Sequence, residues 1–364
     1  MPTMSSDASP RGSRIEALPA GPLDIVGDVH GELQALRELL RLLGHAADGS
    51  HPQGRRLVFV GDLVDRGPDS VGVLELVRRQ VDRAGARVVL GNHELNLLRG
   101  QRKLGNDWFW DEGSRRDAVF EPYARVPGEL RAQWLQWFDG LPLALLRDDL
   151  RVVHAAWHAD SLRRAGHGEG PLAGLFARWD AQSDAGLAAA GWAQRAAAEK
   201  AAHRHAFADP RYAMPMLEAV AHCDQQRQMG NPLRVLTSGI ERRAQAPFYA
   251  GGQWRFARRV PWWDDYADEV PVVVGHFWRH WKPAQPPHPS QGDGDLFAGI
   301  APLDWMGPRG RVFCVDYSVG GRYRERAGEA APQTRLAALR WPERELVLDT
   351  GERHPTRRFG APAR

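Results

Sequence analysis

The fold is decided by three short stretches in which a glycine precedes an aspartate or asparagine: Gly27-Asp28-Val29-His30-Gly31, Gly61-Asp62-Leu63-Val64-Asp65-Arg66-Gly67 and Gly91-Asn92-His93-Glu94. Each stretch follows a short apolar run, which predicts a buried strand. Glycines at such positions allow tight turns and a close approach of neighbouring backbones. The three stretches are therefore predicted to be turns at the ends of three strands.

Two helices are predicted between these strands. The apolar runs cover residues 23–26, 57–60 and 87–90, and hydrophobic residues recur at helical spacing over 32–43 and 71–81. This alternation of strands and helices predicts parallel βαβ units with right-handed crossovers. In an open α/β sheet the carboxyl ends of parallel strands meet in one crevice, where ligands bind. The polar residues of the three turns are thus expected to converge.

Two more histidines follow apolar runs further along the chain. Strands are predicted at 150–153, 270–274 and 312–315, with His154 directly after the first and His276 shortly after the second. A histidine after a buried strand is often only structural. Beside the three turns, however, a role as metal ligand is the stronger interpretation for both.

The remaining pattern is weaker. Apolar runs predict strands at 141–146 and at 233–236, and the aromatic-rich residues 105–140 indicate helices. The segments 335–341 and 345–348 predict a closing hairpin. No internal repeat is evident.

The domain organisation follows from these patterns. Residues 1–21 are expected to be a disordered leader, 22–350 a catalytic domain and 351–364 a tail. Within the domain, the Ala- and Arg-rich residues 160–230 predict a helical insertion. The Pro- and Gly-rich residues 282–310 predict a loop insertion, and loops of this length are usually functional or disordered.

The composition excludes several classes of protein. The 364 residues include 48 Lys plus Arg and 45 Asp plus Glu, so the net charge of +3 gives no reason to expect a polyanion-binding protein. The only cysteines are Cys223 and Cys314, too few for a disulfide framework or a zinc site of four cysteines. With no signal peptide or apolar membrane span in the sequence, we expect a cytoplasmic protein without a membrane partner.

The polar residues of the turns suit a pair of divalent metal ions. Asp28 and His30 are two residues apart and can chelate one ion, Asp62 can bridge to a second ion through its two oxygens, and Asn92 offers a neutral oxygen. Carboxylate, imidazole and amide ligands together suit borderline or hard divalent ions. Helix capping after a strand would explain one such aspartate or asparagine. It explains three in succession badly.

These motifs resemble those of the calcineurin-like metallophosphoesterase superfamily, and more narrowly its phosphoprotein phosphatase branch. The GDxHG, GDxxDRG and GNHE signatures of that branch are all present in order. The matching stretches cover roughly 22–98, 150–154, 270–276 and 312–349. The resemblance implies an α/β fold of the metallophosphoesterase type, a β-sandwich flanked by helices in αββα layers, here with a helical insertion.

The resemblance also implies the ligand sets of two metal ions. Asp28, His30 and Asp62 would bind the first ion. Asp62, Asn92, His154 and His276 would bind the second ion. The expected cofactors are two divalent ions, Mn²⁺ in first place and Fe or Zn as alternatives. A hydroxide between the ions would attack phosphorus.

Catalytic roles are implied in the same way. His93 would protonate the leaving oxygen, Asp65 would orient His93, and Arg66 would grip the phosphate oxygens with its planar guanidinium. Arg66 and Asn92 are the residues expected to contact substrate.

One member of the expected site is undecided by the sequence. The branch has a second phosphate-binding arginine between the last two histidine ligands, and here no motif selects among the candidates Arg234, Arg242, Arg243, Arg258 and Arg259.

Several functions remain open. The expected activity is that of a hydrolase of phosphomonoesters, in first place a serine/threonine-type protein phosphatase. The alternative is a hydrolase of dinucleoside polyphosphates such as diadenosine tetraphosphate. The expected partner is a phosphorylated protein or a nucleotide substrate, with no stable nucleic-acid partner. A non-catalytic nucleic-acid-binding module is a remote alternative, since His93 and the metal ligands are all present.

Overall fold

The computed structural model describes residues 14–110, 115–281, 294–326, 328 and 332–361. Its strands are β1 (Ile15–Ala17), β2 (Leu23–Val26), β3 (Arg56–Phe59), β4 (Arg87–Val88), β5 (Ala144–Arg147), β6 (Leu150–Val153), β7 (Glu241–Ala250), β8 (Gln253–Arg259), β9 (Val272–Val274), β10 (Val312–Cys314), β11 (Ala337–Trp341), β12 (Glu345–Leu348) and β13 (Arg353–Pro355). Its α-helices are α1 (Leu33–Leu43), α2 (Ser70–Ala84), α3 (Asn92–Leu98), α4 (Asp107–Trp110), α5 (Arg131–Asp139), α6 (Ala159–Gly166), α7 (Leu172–Ala189), α8 (Trp192–Ala202), α9 (Glu218–Gly230) and α10 (Pro232–Ser238).

The described strands form two larger sheets and one hairpin. In one sheet the order is β13-β12-β11-β2-β3-β4, with β2, β3 and β4 parallel and the closing strands β11 to β13 antiparallel. In the other the order is β1-β5-β6-β9-β10, with β6, β9 and β10 parallel. The strands β7 and β8 pair only with each other. The parallel strands of both sheets are those that precede the polar turns.

The two sheets pack face to face, because alternate residues of their strands point into a shared core. Val58 of β3 and Val273 of β9 belong to this inner core, whereas Leu57 and Phe59 belong to the outer core together with Leu36 of α1. Successive side chains of a strand point to opposite faces, so one strand serves both cores. The result is a β-sandwich flanked by helices in αββα layers, which confirms the predicted fold class.

The structure corrects three expectations. Leu233–Leu236 are not a strand but part of helix α10, which begins with Pro232 after the side-chain cap of Asn231. The expected leader reaches too far, because Ile15–Ala17 form β1, which pairs with β5; residues 1–13 lie outside the described residues. Part of the expected tail is a strand, β13, paired with β12.

The two expected insertions differ in how much of them is described. Residues 160–230 fold into α6 to α9, as expected, and the unpredicted hairpin β7–β8 follows. Of the loop 282–310, residues 282–293 lie outside the described residues, while Phe297 stacks on Trp263 with ring centroids 5.3 Å apart. The division into domain and insertions stays a prediction.

None of the described helices combines the length and the apolar character that a membrane crossing requires.

Candidate metal centre

The polar turns are joined by the buried side chain of Glu94. Its carboxylate accepts hydrogen bonds from the backbone N–H groups of Gly91 (3.1 Å), Asp62 (3.0 Å) and Leu63 (2.8 Å). Burial, followed by the neighbouring Asp62 carboxylate, raises the pKa of Glu94 to about 7. Glu94 thus ties the third motif to the second and holds two turns in register.

The backbone of the site adopts a conformation that side chains rarely tolerate. Nine described non-glycine residues have positive φ, and seven of them lie at the ends of the parallel strands: His30, Asp62, Asp65, Arg66, His276, Trp278 and Ser318. Backbone strain of this kind persists only where the surrounding structure enforces it, and it clusters at functional sites. The concentration points to these strand ends as the functional region.

Asp62 lies at the centre of the site. Its Oδ2 is 3.4 Å from His154 Nε2, 3.8 Å from His30 Nε2 and 3.9 Å from His93 Nε2. Its Oδ1 accepts a hydrogen bond from the backbone N–H of His93 at 2.9 Å. Two groups of side chains with metal-ligand spacing share Asp62, namely His30, Asp62 and His93 on one side and Asp62, His154 and His276 on the other.

Backbone carbonyls fix the orientation of two imidazoles. His30 Nδ1 lies 3.0 Å from the Val64 carbonyl oxygen, and His154 Nδ1 lies 2.7 Å from that of Val60. A carbonyl only accepts, so each Nδ1 must be the donor. This arrangement leaves each Nε2 as the basic nitrogen, which is how histidines are held when they bind metal ions.

The second sheet contributes His276 and the groups around it. The backbone N–H of His276 donates to both oxygens of Asp28, at 3.1 and 3.2 Å. Its Nε2 is buried and has no hydrogen-bond partner among the described residues. Since buried polar atoms are normally paired, this nitrogen fits a metal ion that the side chains around it can hold.

Burial and neighbouring charges shift the pKa values of three of the expected ligands in directions that suit metal binding, whereas for His154 the effect of burial is outweighed by that of Asp62, which raises the pKa of that imidazole. Burial lowers the pKa of His30, with Arg66 adding to the effect, and burial lowers the pKa of His276, with Arg259 adding to it. Burial also raises the pKa of Asp28, reinforced by Asp316 and Asp62. Neutral imidazoles are the form that binds metal, and crowded carboxylates are relieved by a cation.

His93 has the contacts of a proton donor held in place by a carboxylate. Its Nδ1 lies 2.5 Å from Asp65 Oδ2, and the other oxygen of Asp65 accepts a hydrogen bond of 2.6 Å from Trp108 Nε1. All three side chains are buried. Asp65 therefore fixes the ring of His93 and leaves its Nε2 facing Asp62.

Arg66 reaches the site beside His30. Its Nη1 is 3.1 Å from His30 Nε2, and its guanidinium lies over the Trp278 ring, 4.8 Å from the centroid. Gly320 makes room for this arrangement, because a Cβ there would collide with the His30 ring and Arg66. The guanidinium is thus positioned next to the candidate metal ligands.

The comparison with known proteins agrees with this geometry. The family described as calcineurin-like phosphoesterase matches residues 21–183. This part of the chain is thus similar to calcineurin-like phosphoesterases.

Curated relatives of this part of the chain are named nucleotide hydrolases. The asymmetrical bis(5'-nucleosyl)-tetraphosphatase PrpE of Geobacillus thermodenitrificans is 37% identical over 150 residues, which are 39% of this chain and 60% of that protein. The symmetrical bis(5'-nucleosyl)-tetraphosphatase of Janthinobacterium is 39% identical over 133 residues, 36% of this chain and 42% of that protein. The matched part therefore spans less than two thirds of these relatives.

Among solved structures, the alignment with the cold-active protein-tyrosine phosphatase of a psychrophilic Shewanella covers 94% of this chain and 83% of the phosphatase chain. The identity is 15% and the TM-score is 0.44. A TM-score this low supports no functional conclusion.

All the predicted site residues lie together in the structure. Asp28, His30, Asp62, Asp65, Arg66, Asn92, His93, His154 and His276 all follow strands of the sandwich. Asn92 Oδ1 lies 3.2 Å from His154 Nε2. Their assigned roles stay predictions.

The structure distinguishes among the candidate arginines between His154 and His276. Arg242 pairs with Asp265, Arg243 with Glu218 and Arg234 with Asp180. Arg259, at the end of β8, is the one whose charge lowers the pKa of His276, after burial. Arg259 is therefore the candidate whose charge acts on His276, and Arg258 stays open beside it.

Sequence reasoning missed several supporting residues. The sequence shows Glu94 only as the last residue of the third motif, and it gives no sign that Trp108 contacts Asp65. The Asp316 carboxylate accepts hydrogen bonds from the backbone N–H groups of Trp278 and Ser318, both at 2.8 Å, and burial raises the pKa of Asp316 to about 6. The contacts of Glu94 with Asp62, of Trp108 with Asp65 and of Asp316 with Trp278 join residues 32 to 43 positions apart, so no local pattern indicates them.

Proposed function

We propose that the protein is a dinuclear-metal-dependent phosphoesterase. The single observation that carries the proposal is Asp62, whose carboxylate lies within 4 Å of three imidazole nitrogens contributed by different turns. A carboxylate shared between two ligand groups is the part that a two-metal site requires.

The chain's own residues fit two ions. Asp28, His30 and Asp62 would hold one, and Asp62, Asn92, His154 and His276 the other. When bound, such ions lower the pKa of coordinated water and polarise a phosphoryl oxygen. Mn²⁺ is the proposed ion, with Fe or Zn as alternatives.

Other residues of the site would act on the substrate directly. We assign His93 Nε2 as the donor of the proton to the leaving oxygen, with Asp65 holding the ring through Nδ1. The guanidinium of Arg66 would bind the non-bridging oxygens of the phosphate. Arg259, whose charge lowers the pKa of His276, would add positive charge to the site.

The proposed substrates are dinucleoside polyphosphates. The relatives' names support this class better than phosphoproteins, although the matched part spans only 60% of the first of them. A serine/threonine-type protein phosphatase remains the second candidate, because the GDxHG, GDxxDRG and GNHE motifs resemble that branch. The cytoplasmic location stays a prediction.

A substrate panel tests the proposal. Diadenosine tetraphosphate, a phosphoserine peptide and a small aryl phosphate are assayed with Mn²⁺, with His93→Asn as the control for contaminating activity. We expect hydrolysis of the aryl phosphate and, with a higher kcat/KM, of diadenosine tetraphosphate. A higher kcat/KM for the peptide would favour the second candidate, and no metal-dependent hydrolysis of any substrate would overturn the proposal.

A further inference from the structure

A cavity of about 400 Å³ lies beside the metal centre. The two share Asn92, whose side chain faces His154 and also lines the cavity. The cavity is lined by Asn92, Leu95, Asn96, Arg99, Gln101, Lys103, Phe176, Gln228, Arg234, Thr237 and Ser238. It therefore extends from the candidate metal ligands toward α7, α9 and α10.

One face of helix α3 leads from the metal centre into this cavity. Asn92, Asn96 and Arg99 are spaced by four and three residues, and residues at this spacing lie on one side of a helix. At 1.5 Å per residue, the backbone positions of Asn92 and Arg99 are separated by about 10 Å. A chain of linked phosphate groups can span that distance, whereas a single phosphomonoester cannot.

The described lining of the cavity is cationic and contains no carboxylate. Its charged members are Arg99, Lys103 and Arg234. Arg234 makes hydrogen bonds to both oxygens of Asp180, at 3.1 and 2.7 Å. No described acceptor makes a hydrogen bond or ion pair with the side chain of Arg99 or Lys103. Two cations of the cavity are thus available to an anionic ligand.

Packing on an aromatic ring, and not a hydrogen bond to any described anion, holds the guanidinium of Arg99. The guanidinium groups of Arg99 and Arg234 lie 3.4 and 4.7 Å from the centroid of the same Phe176 ring. Burial lowers the pKa of Arg99 to about 10, with Arg234 adding to the effect, and burial lowers that of Lys103, with Arg99 adding to it. Like charges held close together repel each other, and a bound anion removes this repulsion.

We propose that this cavity binds phosphate groups of the substrate that are not themselves cleaved, through Arg99 and Lys103. The inference rests on the proposed phosphoesterase function, since the cleaved phosphate would lie at the metal centre on the other side of Asn92. It identifies the substrate class as molecules with several linked phosphates. The acidic side chains of a phosphopeptide could occupy the same cavity, and a phosphoserine peptide is therefore included in the test.

Charge-removing variants test the proposal by kinetics. In Arg99→Gln/Lys103→Gln, the ratio of kcat/KM for diadenosine tetraphosphate to kcat/KM for a small aryl phosphate should fall by at least about 30-fold, because hydrogen bonds to charged groups are lost. The matched control is Arg102→Gln, which removes a positive charge at the neighbouring position of the chain. Arg102 lies over the Trp110 ring and does not line the cavity. In Arg102→Gln the ratio should stay within twofold.

Folding defects are distinguished by a conservative variant. Arg99→Lys keeps the charge but changes the stacking on Phe176, so it should retain most of the ratio. An equal loss of activity on both substrates in Arg99→Gln/Lys103→Gln would overturn the proposal. So would an unchanged ratio, or a loss confined to an acidic phosphoserine peptide.

A binding measurement keeps the inference separate from the proposed function. Calorimetry with the His93→Asn protein and Mn²⁺ in excess compares inorganic tripolyphosphate with orthophosphate. We expect tripolyphosphate to bind at least about tenfold more tightly, and Arg99→Gln/Lys103→Gln to abolish that advantage. Equal affinities would overturn the cavity assignment even in an active phosphoesterase. An enzyme inactive on every substrate that still shows the advantage would overturn only the proposed function.

Discussion

The metal centre and the helix-and-hairpin region, residues 159–259, are built in different ways. The metal centre consists of turns at strand ends, with buried ligands and positive φ at seven non-glycine residues. The helix-and-hairpin region contains a small core of its own, which includes Leu187, Val220 and Phe256. Much of its surface is exposed. The comparison teaches that the groups proposed for chemistry are fixed by strained turns at strand ends, whereas the helix-and-hairpin region is held by a separate core of its own.

Glycines show the same difference. A Cβ on Gly275 would collide with the Asp28 carboxylate, whereas a Cβ on Gly186 of α7 would meet no atom within 4 Å. A substitution should therefore be tolerated in one region and not in the other. Four predictions test this contrast.

The largest effect is expected from Asp62→Asn. The amide removes the charge shared by both ligand groups, so activity should fall by more than the roughly 10–100-fold that loss of an outer-shell partner causes. At least one metal ion should be lost, as measured by metal analysis of the purified protein. Mn²⁺ should raise the unfolding temperature of the wild type more than that of the variant, because ligands stabilise the folded state. Two ions bound at wild-type activity would contradict the assignment.

The next largest effect is expected from His93→Asn. Both metal ions should remain, and hydrolysis of substrates with poor leaving groups should slow by about 10²–10⁴-fold, the usual contribution of general acid catalysis. An activated aryl phosphate requires less protonation and should slow less. The kcat values for both substrates and the metal content of the purified variant are measured. Equal slowing of both would show that His93 does not donate a proton.

A smaller effect is expected from Trp108→Phe. The substitution keeps an aromatic ring but removes the N–H that donates to Asp65 Oδ1 at 2.6 Å, so the carboxylate holds His93 less firmly. We expect about a tenfold loss of kcat, at the lower end for outer-shell partners. Trp110→Phe is the neighbouring control and should leave kcat near that of the wild type. If both variants behave alike, the effect belongs to packing and not to Asp65.

The smallest effect is expected in the helix-and-hairpin region. Gly186→Ala should raise the free energy of unfolding by about 0.5–1 kcal/mol, because glycine in a helix loses more conformational entropy than alanine on folding. Urea unfolding measures the change, and hydrolysis of the aryl phosphate should stay the same. Gly275→Ala is the counterpart, for which we expect weaker metal binding. Tolerance of both substitutions would remove the contrast between the regions.

Some predictions from sequence succeeded because the pattern is local. The strands that precede Asp28 and Asp62 and the hairpin of β11 and β12 depend on short apolar runs and on turn residues. The strand expected at Leu233–Leu236 was wrong for the same kind of reason: a short apolar run fits a strand or a buried helix equally well. Here Asn231 caps a helix and Pro232 occupies its first turn, which decided the outcome.

The sequence by itself determined the three glycine-flanked turns and the residue types they present, because a tight turn depends on the residues within it. Only the tertiary structure decided which distant groups meet there. His276 N–H donates to Asp28 across 248 positions of the chain, and Trp108 reaches Asp65 across 43. The cationic cavity likewise combines Arg99 and Lys103 with Arg234 of α10. Such contacts follow from the order of strands and the packing of two sheets, which are global properties that no local pattern encodes.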